Sequence, residues 1–224
     1  AGRTYDVTVN DGKTSVIAKN VAFADGNVTK NFNFGTLTLD GDATVAPADA
    51  VWAKVMGRNL NQEWNAVVLP FAIAADEVVE KFGVGTEIAA YDGDNLDSTT
   101  GGTDYVTVNF ATTTAMEANV PYLVYVAEAV TPEFENVDVA AAEAKVEGKY
   151  YDFVGVYAKT EVNAGDFFMK GGVLKKATTN NYVLAYRSYL KLHEGESARS
   201  IRFTLNGEDM EAETTGIKVV HSAA

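Results

Sequence analysis

The 224-residue chain contains no cysteine. Disulfide bonds, thiolate catalysis and cysteine-ligated zinc are therefore excluded from its chemistry. No segment approaches the roughly 20 consecutive apolar residues that a membrane-spanning helix needs, so we expect no membrane span. Proline is also scarce, with four residues in the chain, which leaves long stretches free to form hydrogen-bonded strands.

Catalytic residue patterns are equally sparse. Histidine occurs only as His193 and His221, and neither a His-Glu-x-x-His motif nor a Gly-x-Ser-x-Gly turn is present. Three acidic residues, Asp152, Glu161 and Asp166, lie near aromatic strands and would suit a glycosidase if two of them faced each other across a sugar. Similar surroundings arise by chance in so acidic a chain. The sequence therefore predicts a protein that is not an enzyme.

The charge balance restricts the partners. Acidic residues number 31 against 18 basic ones, giving a formal net charge of -13 at pH 7. A chain with this charge repels nucleic acid and anionic lipid at long range and stays soluble. We expect no nucleic-acid partner. Because 47% of the residues are hydrophobic, the chain has enough apolar surface to bury a core and fold.

Alternating polar and apolar residues dominate the pattern along the chain. Tyr5, Val7 and Val9 alternate with polar residues, which is typical of a half-buried strand, and Asp11-Gly12 supplies a hairpin turn after them. Asp25-Gly26 predicts a second hairpin, between residues 21–23 and 32–34. Short strands with turn signals at intervals of about 8–12 residues continue to the end of the chain. We predict a mostly antiparallel all-β fold, β-sandwich or jelly-roll-like.

One helix interrupts this pattern. It is predicted near residues 74–82, because Val78, Val79 and Phe82 share a face at helical spacing and Gly83 suits its C-terminal cap. A stretch of small residues containing Pro47 places a soft boundary in the chain. Residues 1–48 are predicted to form a small N-terminal β unit or a strand-exchange segment, and residues 49–224 the main β-sandwich domain.

Six short segments in order carry a family resemblance. The chain resembles secreted and cell-surface β-sandwich proteins of Bacteroidales with the pattern "WNT-LPF … ANxPYL … ETTGI", over roughly residues 50 to 217. The matching segments are Asn61–Phe71, Lys81–Thr86, Ala118–Val124, Asp152–Tyr157, Tyr186–Leu192 and Glu213–Ile217. The resemblance implies an extracellular, bacterial, all-β protein of no known activity, and it brings no catalytic residues with it.

The sequence suggests a calcium site and a glycosylation site in neighbouring positions. Asp92, Asp94 and Asp97 are taken to lie on a short loop, where three carboxylates would suit Ca²⁺. The alternative is a plain polar turn. No other cofactor is expected. Asp97-Ser98-Thr99 is similar to the short O-glycosylation signal of the resembled bacteria, which makes Ser98 a candidate glycosylation site.

Exposed aromatic side chains would indicate glycan binding, since rings stack on sugar faces. Tyr150 and Tyr151 are adjacent in a predicted strand, and neighbouring strand residues face opposite ways. One of the two is therefore expected at the surface as a ligand-stacking residue. The alternative is that the aromatic residues on the strands pack in the core.

The chain ends offer strands for exchange. Tyr5, Val7 and Val9 near the start, and Ile217 and Val219 near the end, alternate with polar residues and would complete a neighbour's sheet edge. Head-to-tail pairing of this kind builds a filament. The alternative is that both strands pair within their own subunit.

Two functions remain open from sequence. The first is a non-enzymatic extracellular structural or surface protein, a filament subunit that self-associates through terminal strands or binds other surface proteins. The second is a carbohydrate-binding or adhesion module with a glycan partner.

Overall fold

The computed structural model describes residues 4–22, 29–39, 49–140, 142–196, 199–209, 212–213 and 216–218, the last two segments as backbone alone. These residues form twenty strands and one helix. The first half contains β1 (Thr4–Asn10), β2 (Ser15–Ala22), β3 (Phe32–Thr38), β4 (Ala50–Met56), β5 (Trp64–Val68), α1 (Ala75–Phe82), β6 (Glu87–Ser98), β7 (Asp104–Thr113) and β8 (Pro121–Tyr125). The second half contains β9 (Glu133–Val139), β10 (Ala144–Val146), β11 (Tyr151–Val156), β12 (Thr160–Val162), β13 (Phe167–Met169), β14 (Val173–Lys176), β15 (Asn181–Val183), β16 (Arg187–Leu192), β17 (Ser200–Leu205), β18 (Glu208–Asp209), β19 (Ala212–Glu213) and β20 (Gly216–Lys218).

The all-β prediction is confirmed: the structure is mostly strand, mostly antiparallel and sandwich-like, with one short helix. Two parallel pairs, β3 with β4 and β17 with β7, are the exceptions among the described strands. None of the described helical residues forms a span long and apolar enough to cross a membrane.

Two large sheets pack face to face. A six-stranded sheet in the order β18-β17-β7-β6-β8-β5, the central sheet, lies against a seven-stranded sheet in the order β10-β11-β16-β13-β14-β20-β19. Both sheets contribute large side chains to the layer between them, including Trp64, Val108, Phe110, Leu123, Phe153, Phe167 and Leu190. This buried apolar layer is the core of the sandwich.

The opposite face of the central sheet is covered as well. Helix α1 and the three-stranded sheet β3-β4-β9 pack there around a second core that includes Val55, Leu69, Phe71, Phe82, Val124 and Phe134. Strand β5 therefore lies between two layers, and all five of its residues are buried. A strand covered on both faces loses the alternating pattern, because neither face meets water.

Helix α1 begins one residue later than predicted. The Glu77 carboxylate accepts a hydrogen bond from the Ala74 amide at 3.0 Å, and the Gly83 amide donates to the Val79 carbonyl at the other end. Val78 and Phe82 are buried as expected. Val79 is 53% exposed, so the prediction that it shares their buried face is wrong. Residues spaced by three or four positions align on a helix, whereas neighbours diverge.

Of the two hairpins predicted near the N-terminus, the described strands form the first and not the second. Strands β1 and β2 form the antiparallel pair predicted around Asp11-Gly12, where Gly12 has a φ of 92° and the Asp11 carboxylate accepts from the Lys13 and Thr14 amides. The hairpin predicted through Asp25-Gly26 is wrong in its pairing, because the described part of β2 pairs with β1 and that of β3 pairs with β4, in separate sheets. The turn residues themselves lie outside the described residues.

Contacts cross the position where the sequence suggests a boundary. Val51 of β4 is buried together with Val16, Ala18 and Val21 of β2. Strand β3 shares a sheet with β4 and β9. The division into residues 1–48 and 49–224 stays a prediction, and strands from the first range share a buried core with the second.

We predict that Gly148→Ala destabilises the fold by about 3 kcal/mol, because a Cβ there would overlap the Tyr91 hydroxyl and the Tyr151 carbonyl oxygen. Gly101→Ala is the matched control, since its Cβ would meet only the Thr99 hydroxyl at 3.8 Å. Urea unfolding of both variants measures the difference. Equal midpoints for the two would contradict the close packing around Gly148.

Candidate functional site

A cleft of about 500 Å³ opens beside β5, the last strand of the central sheet. The loop before β5 and the strand itself form one wall. Strands β13, β15 and β16 and their turns form the other. The lining includes the charged and aromatic side chains of Arg58, Glu63, Lys159, Lys170, Tyr182 and Arg187. We call this site the β5 cleft.

Arg58 is held in the β5 cleft by its neighbours. The preceding Gly57 lies against Pro132, and its amide donates to the Pro132 carbonyl at 2.7 Å. The Arg58 Nη2 group donates to the Ala66 carbonyl oxygen on β5 at 2.6 Å. Arg58 Nε is buried and has no hydrogen-bond partner among the described residues. The guanidinium thus bonds a carbonyl of β5, and its buried Nε–H is left without an acceptor among the described residues.

The lining of the β5 cleft is net positive, whereas the chain as a whole is net negative. Four cationic side chains, Arg58, Lys159, Lys170 and Arg187, accompany the acidic Glu63 in the lining. The chain as a whole carries a net charge of -13. A cationic concavity in an acidic protein concentrates positive potential at one place and attracts anions there.

Burial and the positive charge of Arg187 lower the pKa of Arg58 to about 9, against a smaller opposing effect of Glu63. The guanidinium remains a cation at neutral pH. Because its pKa in the folded state lies below the ordinary value, its charging opposes folding at neutral pH, and this cost disappears as the pH rises above about 9. An anion bound beside Arg58 would reduce the same cost.

Tyr182 gives the β5 cleft an aromatic surface. It lies on β15, which pairs with β12, and its side chain is 47% exposed. The Lys159 ammonium lies 4.7 Å from the centroid of the Tyr182 ring, a cation–π distance. A ring with an exposed part and a cation beside it can stack on a planar or sugar-like ligand that also carries negative charge.

Buried polar atoms lie in the same lining. Trp64 Nε1 and Ser188 Oγ are buried and have no hydrogen-bond partner in the part of the chain that the structure describes. Burying such a group without a partner costs about 1–3 kcal/mol. The residues around the β5 cleft therefore contain hydrogen-bonding capacity that the described protein groups leave unused.

The predicted stacking pair is divided between core and surface. Tyr151 is 1% exposed and packs edge-on against Phe167 at 5.9 Å between ring centroids, so its prediction as a ligand-stacking residue is wrong. Tyr150 is half-buried, with Lys149 Nζ and the Arg199 guanidinium carbon 5.5 Å and 5.4 Å from its ring centroid. Tyr151 is the first residue of β11 and lies in the core between the two large sheets, whereas Tyr150 precedes the strand, so the expectation that both residues lie on one strand is wrong.

The predicted calcium ligands lie on a strand, so the prediction of a short loop is wrong. Asp92 is exposed on β6, whereas Asp94 is buried. The Asp94 carboxylate accepts hydrogen bonds from the backbone amides of Lys149, Tyr150 and Tyr151 at 2.6 to 3.2 Å. Both of its oxygens are thereby engaged.

Asp97 accepts a hydrogen bond from the Thr107 hydroxyl at 2.5 Å. Within the described ranges, no three histidine or acidic side chains are grouped so as to hold a metal ion. Ca²⁺ at Asp92, Asp94 and Asp97 stays a prediction. Ser98 is exposed, and its hydroxyl donates to the Asp104 carboxylate at 2.6 Å. Its glycosylation likewise stays a prediction.

The candidate exchange strands pair within the chain. Tyr5, Val7 and Val9 lie on β1, which pairs with β2 at the edge of a two-stranded sheet. Ile217 lies on β20 opposite Leu174 of β14. Val219 lies outside the described residues.

The acidic residues weighed as catalytic have other partners. The Asp152 carboxylate lies 2.7 Å from the His193 ring and accepts from the Gly148 amide at 3.2 Å. Buried Asp166 accepts from the backbone amides of Asn163 and Leu192. Both carboxylates thus hold turns and strand ends in place. His221 lies outside the described residues.

Sequence reasoning missed the β5 cleft, because its charged residues come from positions 58, 159, 170 and 187. The one available signal was Tyr182, an aromatic residue directly after the polar stretch Thr178–Asn181. Comparisons with protein-family models, curated proteins and solved structures found no match.

We predict that Asp94→Ala lowers the free energy of unfolding by about 3 kcal/mol or more, since the amides of residues 149–151 lose a buried carboxylate acceptor. Asp92→Ala on the same strand removes an exposed carboxylate and should change stability by less than about 0.5 kcal/mol. Urea denaturation with and without Ca²⁺ measures both effects. A large Ca²⁺-dependent stabilisation of the parent chain that both variants lose would instead support the metal site.

Proposed function

We propose that this chain is a non-enzymatic extracellular surface protein that acts as an adhesion module and binds a glycan in the β5 cleft. The observation that carries the proposal is the combination of an exposed tyrosine with four cationic side chains in one concavity. Extracellular, bacterial location follows from the sequence resemblance and belongs to the proposal.

The dimensions of the β5 cleft support ligand binding. Its volume of about 500 Å³ lies within the range of about 300–1,000 Å³ that is typical of small-molecule sites. The Tyr182 ring offers a stacking face, and amide side chains of Asn61 and Asn180 lie in the same lining. Amides both donate and accept hydrogen bonds, which suits sugar hydroxyl groups.

We predict that Tyr182→Ala reduces glycan binding at least about 10-fold, because the stacking face is lost. Tyr5→Ala is the matched control, since Tyr5 is 50% exposed but lies on β1. A glycan array followed by isothermal titration calorimetry measures both variants against the parent chain.

The two tyrosines allow a clear decision. If Tyr182→Ala and Tyr5→Ala lose binding equally, the glycan does not bind specifically in the β5 cleft. Full binding by Tyr182→Ala would also show that the glycan binds outside this cleft. The absence of binding to any glycan by the parent chain would reject the adhesion function.

A second function is supported by β1. Strand β1 is an edge of its two-stranded sheet. Its partner β2 is attached to the rest of the fold by a hydrogen bond from the Ile17 amide to the Asn136 side chain at 2.9 Å. An edge strand is a template for pairing with another chain. We therefore also propose a structural role, with filaments assembled through terminal-strand pairing.

We expect the intact protein to form filaments visible by electron microscopy and a chain lacking residues 1–10 to remain monomeric, because β1 is removed. Circular dichroism of the shortened chain checks that the sandwich persists. Intact protein that stays monomeric at high concentration would reject this second function and would leave the glycan proposal unaffected.

A further inference from the structure

We propose that the glycan bound in the β5 cleft is an acidic saccharide whose sugar carboxylate lies between Arg58 and Lys159. This inference rests on the proposed glycan-binding function and adds the chemical class of the ligand.

The charge of the lining is opposite to what the composition would give. Acidic residues outnumber basic ones by 31 to 18 in the chain, yet four cations accompany Glu63 in the β5 cleft. Cations held near one another in a partly desolvated cleft repel, and a bound anion relieves that repulsion. A neutral sugar would leave the repulsion in place.

Arg58 has the geometry to take a carboxylate. Its guanidinium carries five N–H donors in a planar fork, of which Nη2 already bonds the Ala66 carbonyl. Its Nε is buried, so a ligand in the cleft would meet the terminal Nη groups of the fork. Because the Ala66 bond and the flanking Gly57–Pro132 contact hold Arg58, little side-chain entropy is lost when a ligand binds.

The hydrogen bond from Arg58 to the Ala66 carbonyl disfavours binding of an extended acidic peptide along β5. A peptide that added a strand to β5 would need the carbonyls on its open edge, and the Ala66 carbonyl is already bonded to Arg58. The Lys159 ammonium lies over one face of the Tyr182 ring, 4.7 Å from its centroid, and a sugar would stack on the rest of this half-exposed ring. A sugar ring that carries a carboxylate matches both features at once.

The test uses the intact chain and an oligogalacturonate, together with the methyl ester of the same oligosaccharide and a poly-glutamate peptide. Isothermal titration calorimetry at low and high salt gives the affinities. We expect the free acid to bind at least about 10-fold more tightly than its ester and more tightly than the peptide, with an affinity that falls as salt rises.

The outcomes separate this inference from the proposed function. Equal affinity for acid and ester overturns the acidic ligand while the glycan-binding function stands. Binding of neither saccharide, together with no binding across the glycan array, overturns both. Tighter binding of the peptide overturns the saccharide class.

Substitutions locate the site. Lys159→Gln should weaken binding of the free acid about 5- to 10-fold and leave the ester unchanged, and because Lys159 is exposed this variant should fold. Arg58→Gln should cause a larger loss, with its fold checked by circular dichroism since Ala66 loses a partner. Arg202→Gln, on β17 towards the opposite edge of the central sheet, is the control and should bind like the parent chain. Equal effects of the three variants would overturn the assignment to the β5 cleft.

Discussion

Burial of the central sheet on both faces is the constraint on which the other features depend. One face packs on the seven-stranded sheet, and the other packs on α1 and the β3-β4-β9 sheet. Each large apolar side chain that this encloses contributes about 1.5–3 kcal/mol relative to exposure. Because β5 is enclosed in this way and ends the sheet, its open edge becomes the wall of a cleft. The cleft thus forms because the central sheet ends at β5.

Buried carboxylates tie irregular segments to this layered core. Asp94 on β6 accepts the backbone amides of residues 149–151, and Asp166 accepts those of Asn163 and Leu192. A buried carboxylate is stable where several N–H groups replace its lost water. These acids, which looked chemically active in the sequence, therefore have structural partners.

The two proposed functions use different parts of the molecule. Glycan binding uses the β5 cleft, where cations gathered from distant positions concentrate a positive potential within an acidic protein. Filament formation uses β1, which belongs to the small two-stranded sheet. One chain can carry both, because a strand edge and a concave ligand site have different requirements: the first needs unpaired backbone, and the second needs converging side chains.

The sequence by itself determined the local structure. The alternation of Tyr5, Val7 and Val9, the Asp11-Gly12 turn and the helix ending at Phe82 were all readable, since each depends on residues a few positions apart. Tertiary structure decided what needed distant partners: the parallel pairing of β3 with β4, the burial of Tyr151 rather than Tyr150, and the meeting of positions 58, 159 and 182 in one cleft. Strand periodicity fixes which residues share a face. The choice of which faces and edges meet depends on the burial of apolar surface summed over the whole chain, and no local pattern contains that sum.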